Sequence, residues 1–312
     1  MTREEALKAH ERRPDLNLRE LADVLSVNYN TLRRQISEAR RAVAPAPDFS
    51  AYYPRPDVPL LIHCDNCIVT GDIQLPTTSG TWVELMCAVA DTNLPRRGRR
   101  LGSAGDLLNN DAFSAYEPET ETPSLTQEVA AVDAFLNYCF EYFDFIDWTA
   151  GNHERRAQKR TGNVLNYDLF TRMVLGHNQH RVRTSKLGYA YLHTSRDRWF
   201  LAHPRGYRKD ALLLANELAQ KEQSNIVCFH EHHLGVSYDR FKRYILINAG
   251  GLFERKAMSY AVLDPSPMPH MQNGFVMMRN GYPHLLGPDG FTDWSMWLGD
   301  EAVEVQDWRR AA

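Results

Sequence analysis

The chain of 312 residues is 43% hydrophobic and 24% charged, which is ordinary for a globular protein with one large and one small domain. Its formal net charge of −3 gives no whole-chain attraction for nucleic acid or for a membrane surface, so any such attraction must be local. No run approaches the roughly 20 apolar residues of a membrane-spanning helix, and the charged N-terminus does not resemble a secretory signal, so no membrane partner is expected.

Cysteine usage indicates the compartment. The five cysteines are odd in number, and Cys87, Cys139 and Cys228 lie in apolar runs. This pattern favours a reduced, cytoplasmic protein. Cys64 and Cys67 form one CxxC, but no second pair exists to complete a four-ligand zinc site.

Three short helices are predicted in residues 1–43, a length that suffices for a small helical module. Their predicted bounds are 3–13, Leu18–Leu25 and Thr31–Arg41, from apolar residues at helical spacing. Ser26 and Asn30 are predicted as turn and N-cap residues because their short side chains bond backbone groups locally. The proline-rich residues 44–57 are predicted to be a linker.

Beyond the linker, short β-rich runs alternate with helical stretches, which predicts an α/β layered domain over residues 58–265. The predicted strands are Leu60–Ile62, Cys67–Thr70, Phe143–Trp148, Trp199–Ala202, Ile226–Phe229 and Tyr244–Ile247. The predicted helices are Thr81–Ala90, Leu125–Tyr138, Asn166–Leu175 and Lys209–Lys221. Residues 266–312 are predicted to form hairpins and an irregular tail, from the turn pairs Asn273-Gly274, Asn280-Gly281 and Asp289-Gly290.

Polar side chains follow the predicted strands at their carboxyl ends, the edge where sites form in open α/β sheets. They are Asp72, Asp106, the run Asn152-His153-Glu154, His203, His230 and His232. Oxygen and imidazole ligands suit manganese, iron or zinc better than calcium. Their number fits two ions, which could hold a bridging hydroxide and clamp the attacking and leaving oxygens of a phosphate ester.

Each polar cluster taken alone has an ordinary structural explanation. Asp72 and Asp106 could cap a turn or helix, His203 could be a loop histidine, and the run from His230 could be a solvated turn. The segment Gly-Asn-His-Glu is more specific, because few folds need it directly after a buried strand. The joint occurrence of these clusters, in this order, indicates a site.

In this order the motifs resemble those of the calcineurin-like metallophosphoesterase superfamily: DxH, GDxx(D/N), GNH(D/E), a lone His and GHxH. The counterparts here are Asp72-Ile-Gln74, Gly105-Asp106-Leu-Leu-Asn109, Gly151-Asn152-His153-Glu154, His203 and Phe229-His230-Glu-His232. The resemblance covers roughly residues 58–262, including a segment from Leu246 similar to the family's closing strand. It implies a four-layer α/β/β/α sandwich.

The resemblance also implies a dinuclear centre, with Mn²⁺ preferred and iron, zinc or nickel as alternatives. One ion would be held by Asp72, His232 and, less surely, Gln74, and the other by Asn152, His203 and His230. Asp106 would bridge the two ions. His153 would protonate the leaving oxygen or stabilise the transition state. Glu154 would orient His153 or a neighbouring loop, and Asn109 would support the ligands from outside.

The chain departs from the family pattern at three positions. Gln74 replaces a histidine, and because an amide oxygen coordinates more weakly than imidazole, that metal site would be labile or favour a harder ion such as Mn²⁺. Asn109 replaces a common aspartate and Phe229 replaces a glycine, and neither change removes a ligand. A degraded enzyme therefore remains an alternative.

The N-terminal module is similar to a helix-turn-helix, with Ala22 as the small residue, Val27 in the turn and Thr31–Arg41 as the recognition helix. The residues expected nearest DNA are Tyr29, Asn30, Arg33 and Arg34, since arginine suits guanine edges and phosphate and asparagine suits adenine. A three-helix dimerisation or protein-interaction module is the alternative, because residues 1–41 carry nine Lys/Arg against seven Asp/Glu. A second basic segment, residues 95–100, is either a solvated loop or a phosphate contact near the site.

Together these features predict a metal-dependent phosphodiesterase or nuclease acting on DNA, because a tethered DNA-binding module raises the local concentration of substrate. The two-domain combination also resembles proteins encoded by bacteriophages and prophages, which would act in the host cytoplasm. Three alternatives stay open: a phosphomonoesterase for DNA ends or nucleotides, a phosphoprotein phosphatase, and a non-catalytic DNA-binding regulator. The sequence leaves open whether the protein forms a homodimer.

Overall fold

A computed structural model describes residues 1–43, 57–115, 122–257, 271–288 and 290–299. The chain separates into two compact units, Met1–Pro56 and Asp57–Ala312. The predicted linker (apart from Asp57), the end of the expected closing strand, Asp289 of the third turn pair, and residues 266–270 and 300–312 of the predicted tail lie outside the described residues. No helix in the described parts is long and apolar enough to cross a membrane.

The described part of the first unit consists of the helices α1 (Arg3–Arg12), α2 (Leu18–Val24) and α3 (Tyr29–Val43). They enclose a small core of Ala6, Leu21, Ala22, Leu32 and Ile36. Capping boxes at Thr2 and Asn17 satisfy the first backbone N–H groups of α1 and α2.

The start of the third helix corrects the sequence prediction. α3 begins at Tyr29 rather than Thr31, and Asn28, not Asn30, caps it. The side-chain oxygen of Asn28 accepts the backbone N–H groups of Asn30 (2.9 Å) and Thr31 (3.3 Å). Ser26 does form the turn, with a left-handed φ of 51°.

The second unit alternates strands and helices. Its strands are β1 (Leu60–His63), β2 (Cys67–Thr70), β3 (Arg100–Ala104), β4 (Phe145–Thr149), β5 (Val182–Ser185), β6 (Tyr189–His193), β7 (Arg198–Ala202), β8 (Asn225–Cys228), β9 (Leu234–Tyr238), β10 (Ile245–Ala249), β11 (Phe275–Arg279) and β12 (Tyr282–Leu286). Its α-helices are α4 (Gly80–Asn93), α5 (Leu125–Cys139), α6 (Glu154–Arg160), α7 (Tyr167–Leu175), α8 (Leu213–Glu222) and α9 (Ser295–Leu298).

The described strands form two mixed six-stranded sheets, which confirms an α/β fold. One sheet has the order β1-β6-β7-β8-β10-β9 and the other β12-β11-β2-β3-β4-β5. Strands β2 to β5 are mutually parallel, as are β7, β8 and β10. The carboxyl ends of parallel neighbours lie at one edge of their sheet, so the loops that follow them are brought together.

Three apolar clusters account for the packing of the strands. One contains residues of both sheets, such as Val69 of β2 and Val227 of β8, and therefore lies between them. A larger cluster joins the other face of the β2 sheet to α4, α5, α7 and α9. A third joins the other face of the β8 sheet to α8. Strands covered on both faces are buried throughout, as β2 and β8 are.

Several predicted turns and boundaries are confirmed and others are wrong. Asn280 and Gly281, both with positive φ, close the β11–β12 hairpin as predicted. Asn273, by contrast, bridges to Gly251 and closes no hairpin. The helix predicted over Lys209–Lys221 begins only at Leu213, because the preceding residues form turns.

Candidate metal centre

The loops after β2, β3, β4, β7 and β8 bring most of the predicted ligands into contact with one another. Within this group the side chains of Asp72, Gln74, Asp106 and His203 are at most 3% exposed. The other members are Asn152, His153, His230 and His232. The strands that carry them belong to both sheets, so the site forms where the two sheets place their carboxyl ends side by side.

An unusual backbone marks these loops. Left-handed φ values occur at Asp72 (47°), Gln74 (56°), Asp106 (49°), His230 (83°) and His232 (57°). Non-glycine residues rarely adopt this conformation, which costs of order 1–3 kcal/mol each and clusters at functional sites. The surrounding fold therefore holds five potential ligands against a local preference.

His203 lies at the centre of one half of the site. Its Nδ1 lies 3.1 Å from the carbonyl oxygen of Ala104, which fixes a proton on that nitrogen. Its Nε2 faces two acceptor oxygens, Asn152 Oδ1 at 2.9 Å and Asp106 Oδ2 at 3.2 Å. With the Asn152 oxygen in this place, a neutral ring presents only a lone pair there, and a proton or a metal ion would satisfy all three atoms.

Electrostatics around His203 agree with this geometry. Burial lowers its pKa, but the carboxylates of Asp106 and Asp72 outweigh burial and raise the pKa to about 9. Burial would raise the pKa of Asp106, but His153 and His203 bring it well below its usual range. Asp106, His203 and His230 place one ligand atom each within 4.8 Å of one another and could hold a metal ion.

The second half of the site lies around Asp72. His232 Nε2 is 3.3 Å from Asp72 Oδ1 and 3.0 Å from the Gln74 amide nitrogen. Two ligands bound at about 2.1 Å and at right angles to each other are about 3.0 Å apart, so the spacing of His232 Nε2 and Asp72 Oδ1 suits a shared ion. The Gln74 amide nitrogen is a hydrogen-bond donor, and the metal ligand of that side chain would be its oxygen. Asp72 Oδ1 and Gln74 Oε1 are buried without a hydrogen-bond partner, and coordination would satisfy both.

His153 lies beside the centre and contacts an arginine that sequence reasoning missed. Its Nε2 is 2.7 Å from Arg156 Nη2 and 3.5 Å from Asp106 Oδ2. Burial lowers the pKa of His153 to about 4, against the opposing effect of Asp106. Because guanidinium only donates, Nε2 accepts this hydrogen bond. Arg156 follows His153 by three residues, a spacing that places two side chains on one helical face and could have indicated the pair.

Asn109 supports Arg156 rather than a ligand. Its backbone carbonyl oxygen accepts a hydrogen bond from Arg156 Nη1 at 2.8 Å, and its side-chain amide donates to the Asp111 carboxylate at 2.5 Å. The buried carboxylate of Glu128 holds the same loop through the backbone N–H groups of Asn110 and Asp111, at 3.0 and 3.1 Å. Burial raises the pKa of Glu128 to about 7.

Glu154 holds the Asp106 loop, one of the two roles expected of it. Its carboxylate accepts the backbone N–H groups of Asp106 (3.0 Å), Leu107 (2.8 Å), Leu108 (3.3 Å) and Gly151 (2.6 Å). Burial and the charge of Asp106 raise the pKa of Glu154 to about 7, while the backbone donors oppose that shift. One side chain thus ties the β3 loop to the β4 loop.

Glu154→Gln should lower the free energy of unfolding by about 2–4 kcal/mol, because its amide group would present a donor to backbone donors in a buried place. Urea unfolding followed by circular dichroism measures the change. The exposed Glu84→Gln is the matched control and should change stability by less than about 0.5 kcal/mol. Equal stability of the two variants would contradict this role of Glu154.

The basic segment 95–100 lies away from the site, contrary to one of its two interpretations. Arg100 begins β3, and the site lies at the other end of that strand. Arg99 is buried and pairs with Asp91, and Arg100 pairs with Asp147, each at 2.6 Å. These two arginines are therefore engaged in structural ion pairs.

The residues expected to face DNA lie at the start of α3. Asn30, Arg33 and Arg34 are exposed, whereas Tyr29 is half-buried against the small core with the Arg19 guanidinium 5.4 Å from its ring centre. Within the described part of this unit, Arg3, Lys8 and Arg13 form ion pairs, whereas Arg33 and Arg34 form none.

Comparisons with known proteins add little to this geometry. No protein-family model matches the chain, and no curated protein matches it. Among solved structures, the crystal structure of a point mutant of a cold-active protein tyrosine phosphatase is similar at 11% identity and a TM-score of 0.31. That match covers 78% of this chain and 89% of the phosphatase. A likeness at this level carries no argument about fold or function.

Proposed function

We propose that this chain is a metal-dependent phosphoester hydrolase of the calcineurin-like kind, with a dinuclear centre and a phosphodiester substrate. The larger unit would be the four-layer sandwich of that family, which agrees with two sheets packed face to face and helices on their outer faces. The smaller unit would be a helix-turn-helix module that recruits DNA.

The arrangement around His203 Nε2 carries the proposal. His203 Nε2, Asn152 Oδ1 and Asp106 Oδ2, from three different loops, meet there, and the proton on His203 Nδ1 is already donated to the Ala104 carbonyl oxygen. A protonated ring would satisfy the same atoms, so metal binding is what the experiments below must decide. Two unpartnered oxygens of Asp72 and Gln74 support a second ion in the adjoining half.

When bound, two divalent ions would act as Lewis acids on the phosphate ester and neutralise developing negative charge. The ligands for one would be Asp72, Gln74 and His232, those for the other Asn152, His203 and His230, with Asp106 between them. The Asp106 carboxylate also accepts the backbone N–H of His153 at 2.9 Å, which keeps His153 beside the centre.

His153 and Arg156 would act together on the phosphoryl group. Since His153 Nε2 accepts from Arg156, the positive guanidinium would supply the charged donor on this side. Of the two roles expected of His153, this arrangement favours stabilising the transition state over protonating the leaving oxygen. Asn109 and Asp111 fix the guanidinium from behind.

Hydrolysis of bis-p-nitrophenyl phosphate with added Mn²⁺ tests the proposal, with p-nitrophenyl phosphate as the monoester and DNA as the natural polymer. We expect hydrolysis of the diester that is lost with a chelator and restored by Mn²⁺. Cleavage of the monoester alone would favour a phosphomonoesterase. No cleavage with any divalent ion, together with no metal binding, would overturn the proposal in favour of a non-catalytic DNA-binding protein.

Gln74→Ala should reduce the bound Mn²⁺ from two ions to one, because it removes a ligand from the Asp72 half and leaves the His203 half intact. Isothermal titration of the metal-free protein measures the stoichiometry. Gln223→Ala, far along the chain after α8, is the matched control and should retain both ions. Two ions bound with unchanged affinity in Gln74→Ala would show that Gln74 is not a ligand.

Arg33→Gln combined with Arg34→Gln should weaken binding to duplex DNA at low salt by about 10-fold or more, because each arginine contributes a phosphate or base contact. Fluorescence anisotropy of a labelled duplex measures the effect. Arg12→Gln combined with Lys8→Gln removes the same charge from α1 and is the control. An equal loss in both double variants would indicate general charge attraction and not recognition by α3.

A further inference from the structure

Two arginines flank the metal centre on the side of its His203 half. Arg155 is the third residue after Asn152, and Arg205 is the second after His203. Because Asn152 Oδ1 and His203 Nε2 lie 2.9 Å apart, the two chain segments that carry these arginines meet at the site. Arg155 lies on the first turn of α6, and Arg205 lies on the exposed loop between β7 and α8.

Arg155 is held beside the site by the backbone. Its Nη2 donates to the carbonyl oxygen of Lys186 at 3.1 Å. The same nitrogen packs on Gly188, whose carbonyl oxygen accepts the His203 backbone N–H at 2.8 Å. The guanidinium is therefore half-buried against the strand segment that positions a metal ligand.

Among the described residues, these two cations have no carboxylate partner. A Cβ built on Gly188 would lie 3.0 Å from the His203 carbonyl oxygen and 3.2 Å from Arg155 Nη2, so the Arg155 guanidinium lies beside the chain segment that carries Arg205. Burial, and after it the charge of Arg205, lowers the pKa of Arg155. No ion pair in the described residues includes Arg155 or Arg205, and the neighbouring Lys186 is already paired with Asp57 at 2.8 Å. Glu154, the nearest carboxylate in the chain, is committed to four backbone N–H groups.

Several other arginines of this unit are neutralised by carboxylates. Arg99 pairs with Asp91, and Arg100 and Arg183 share the buried Asp147. Partial burial of a cation beside a like charge is unfavourable unless an anion completes the arrangement. Guanidinium groups bind phosphate oxygens through paired, charge-assisted hydrogen bonds.

We propose that Arg155 and Arg205 form a second phosphate-binding subsite that receives the phosphate next to the scissile one. Among linear phosphodiesters the substrate is then a polynucleotide, because a small diester has no neighbouring phosphate to place there. This inference rests on the proposed function for the identity of the scissile bond, but the subsite itself is defined by the arginines.

The test compares an oligonucleotide with bis-p-nitrophenyl phosphate, which carries a single phosphate. Arg155→Gln combined with Arg205→Gln should lower kcat/KM for a single-stranded oligonucleotide at least about 10-fold more than for the small diester. The slope of log KM against log salt for the oligonucleotide should fall by about 1. Arg240→Gln combined with Lys242→Gln, in the loop at the opposite end of β10, removes the same charge and should leave both substrates unchanged.

Anisotropy of the same oligonucleotide, measured in the full chain carrying Arg33→Gln and Arg34→Gln, separates this inference from the proposed function. If wild type cleaves nothing yet the Arg155/Arg205 variant loses oligonucleotide affinity, the subsite stands and the hydrolase proposal fails. If cleavage of both substrates falls equally, or neither cleavage nor affinity changes, the subsite is overturned.

Discussion

Asp106→Asn should lower kcat/KM for bis-p-nitrophenyl phosphate by about 10³-fold or more, which corresponds to about 4 kcal/mol of lost transition-state stabilisation. Asp106 would be the ligand shared by both ions, and its Oδ2 lies 3.2 Å from His203 Nε2 and 3.5 Å from His153 Nε2. The amide keeps the shape of the carboxylate but removes its charge, so the loss should appear in metal affinity and in rate together.

Steady-state kinetics over a range of Mn²⁺ concentrations measure this effect. Asp197→Asn, on the exposed turn between β6 and β7, is the matched control and should keep wild-type activity. If Asp106→Asn retained full activity at saturating Mn²⁺, the carboxylate would not be a ligand and the assignment of the centre would be wrong.

Gly151→Ala should abolish hydrolysis and lower the free energy of unfolding by about 1–3 kcal/mol or more. A Cβ at this position would overlap Asp106 Oδ1 and lie 2.5 Å from the Asp106 backbone nitrogen. Gly151 also donates its N–H to Glu154 at 2.6 Å, so the chain cannot withdraw without breaking the contact that ties the two loops. The methyl group would therefore displace the proposed bridging ligand.

Thermal unfolding and the diester assay measure the two consequences separately. Gly80→Ala, at the start of α4 where a Cβ meets nothing within 4 Å, is the matched control. We expect that variant to be as active as wild type and equally or slightly more stable, since alanine favours the helix. Wild-type activity in Gly151→Ala would show that the close approach of the two loops is not required.

The effects of Gly151→Ala and Glu154→Gln have a common origin. Both act on the junction between the loop after β3 and the loop after β4, and neither removes a predicted ligand. We therefore expect the stability of the protein and the geometry of the proposed centre to be coupled through the backbone of residues 106–108. A variant damaged at this junction should lose metal affinity and unfolding free energy together.

The sequence by itself determined four of the five strands that lead to the site, and the polar residues that follow all five. β2 has the predicted bounds, because a strand covered on both faces appears as a continuous apolar run in the sequence. The order of residue types after β2, β3, β4, β7 and β8 predicted a polar cluster, because carboxyl ends of parallel strands share an edge. Those side chains lie together, and their role as ligands stays a prediction.

Other features were decided only by the tertiary structure. β9 is an edge strand whose second half is exposed, so its sequence shows no apolar run to predict it. β5 is also an edge strand, and its residues are only partly buried. In β6, buried and half-buried residues alternate, so it too lacks a continuous apolar run. Several short polar residues stand side by side before α3, so the sequence does not show which one caps the helix. The backbone geometry selects Asn28.

The contacts that complete the site also depended on the three-dimensional fold. The Arg156–His153 contact joins neighbours in the chain, but its support from Asn109 and Asp111 comes from a different loop. Arg155 and Arg205 are 50 positions apart, and the segments that carry them come together only because Asn152 and His203 meet. Local sequence determines strands and turns through short-range sterics and burial, whereas charges that act through space acquire partners only when distant loops pack together.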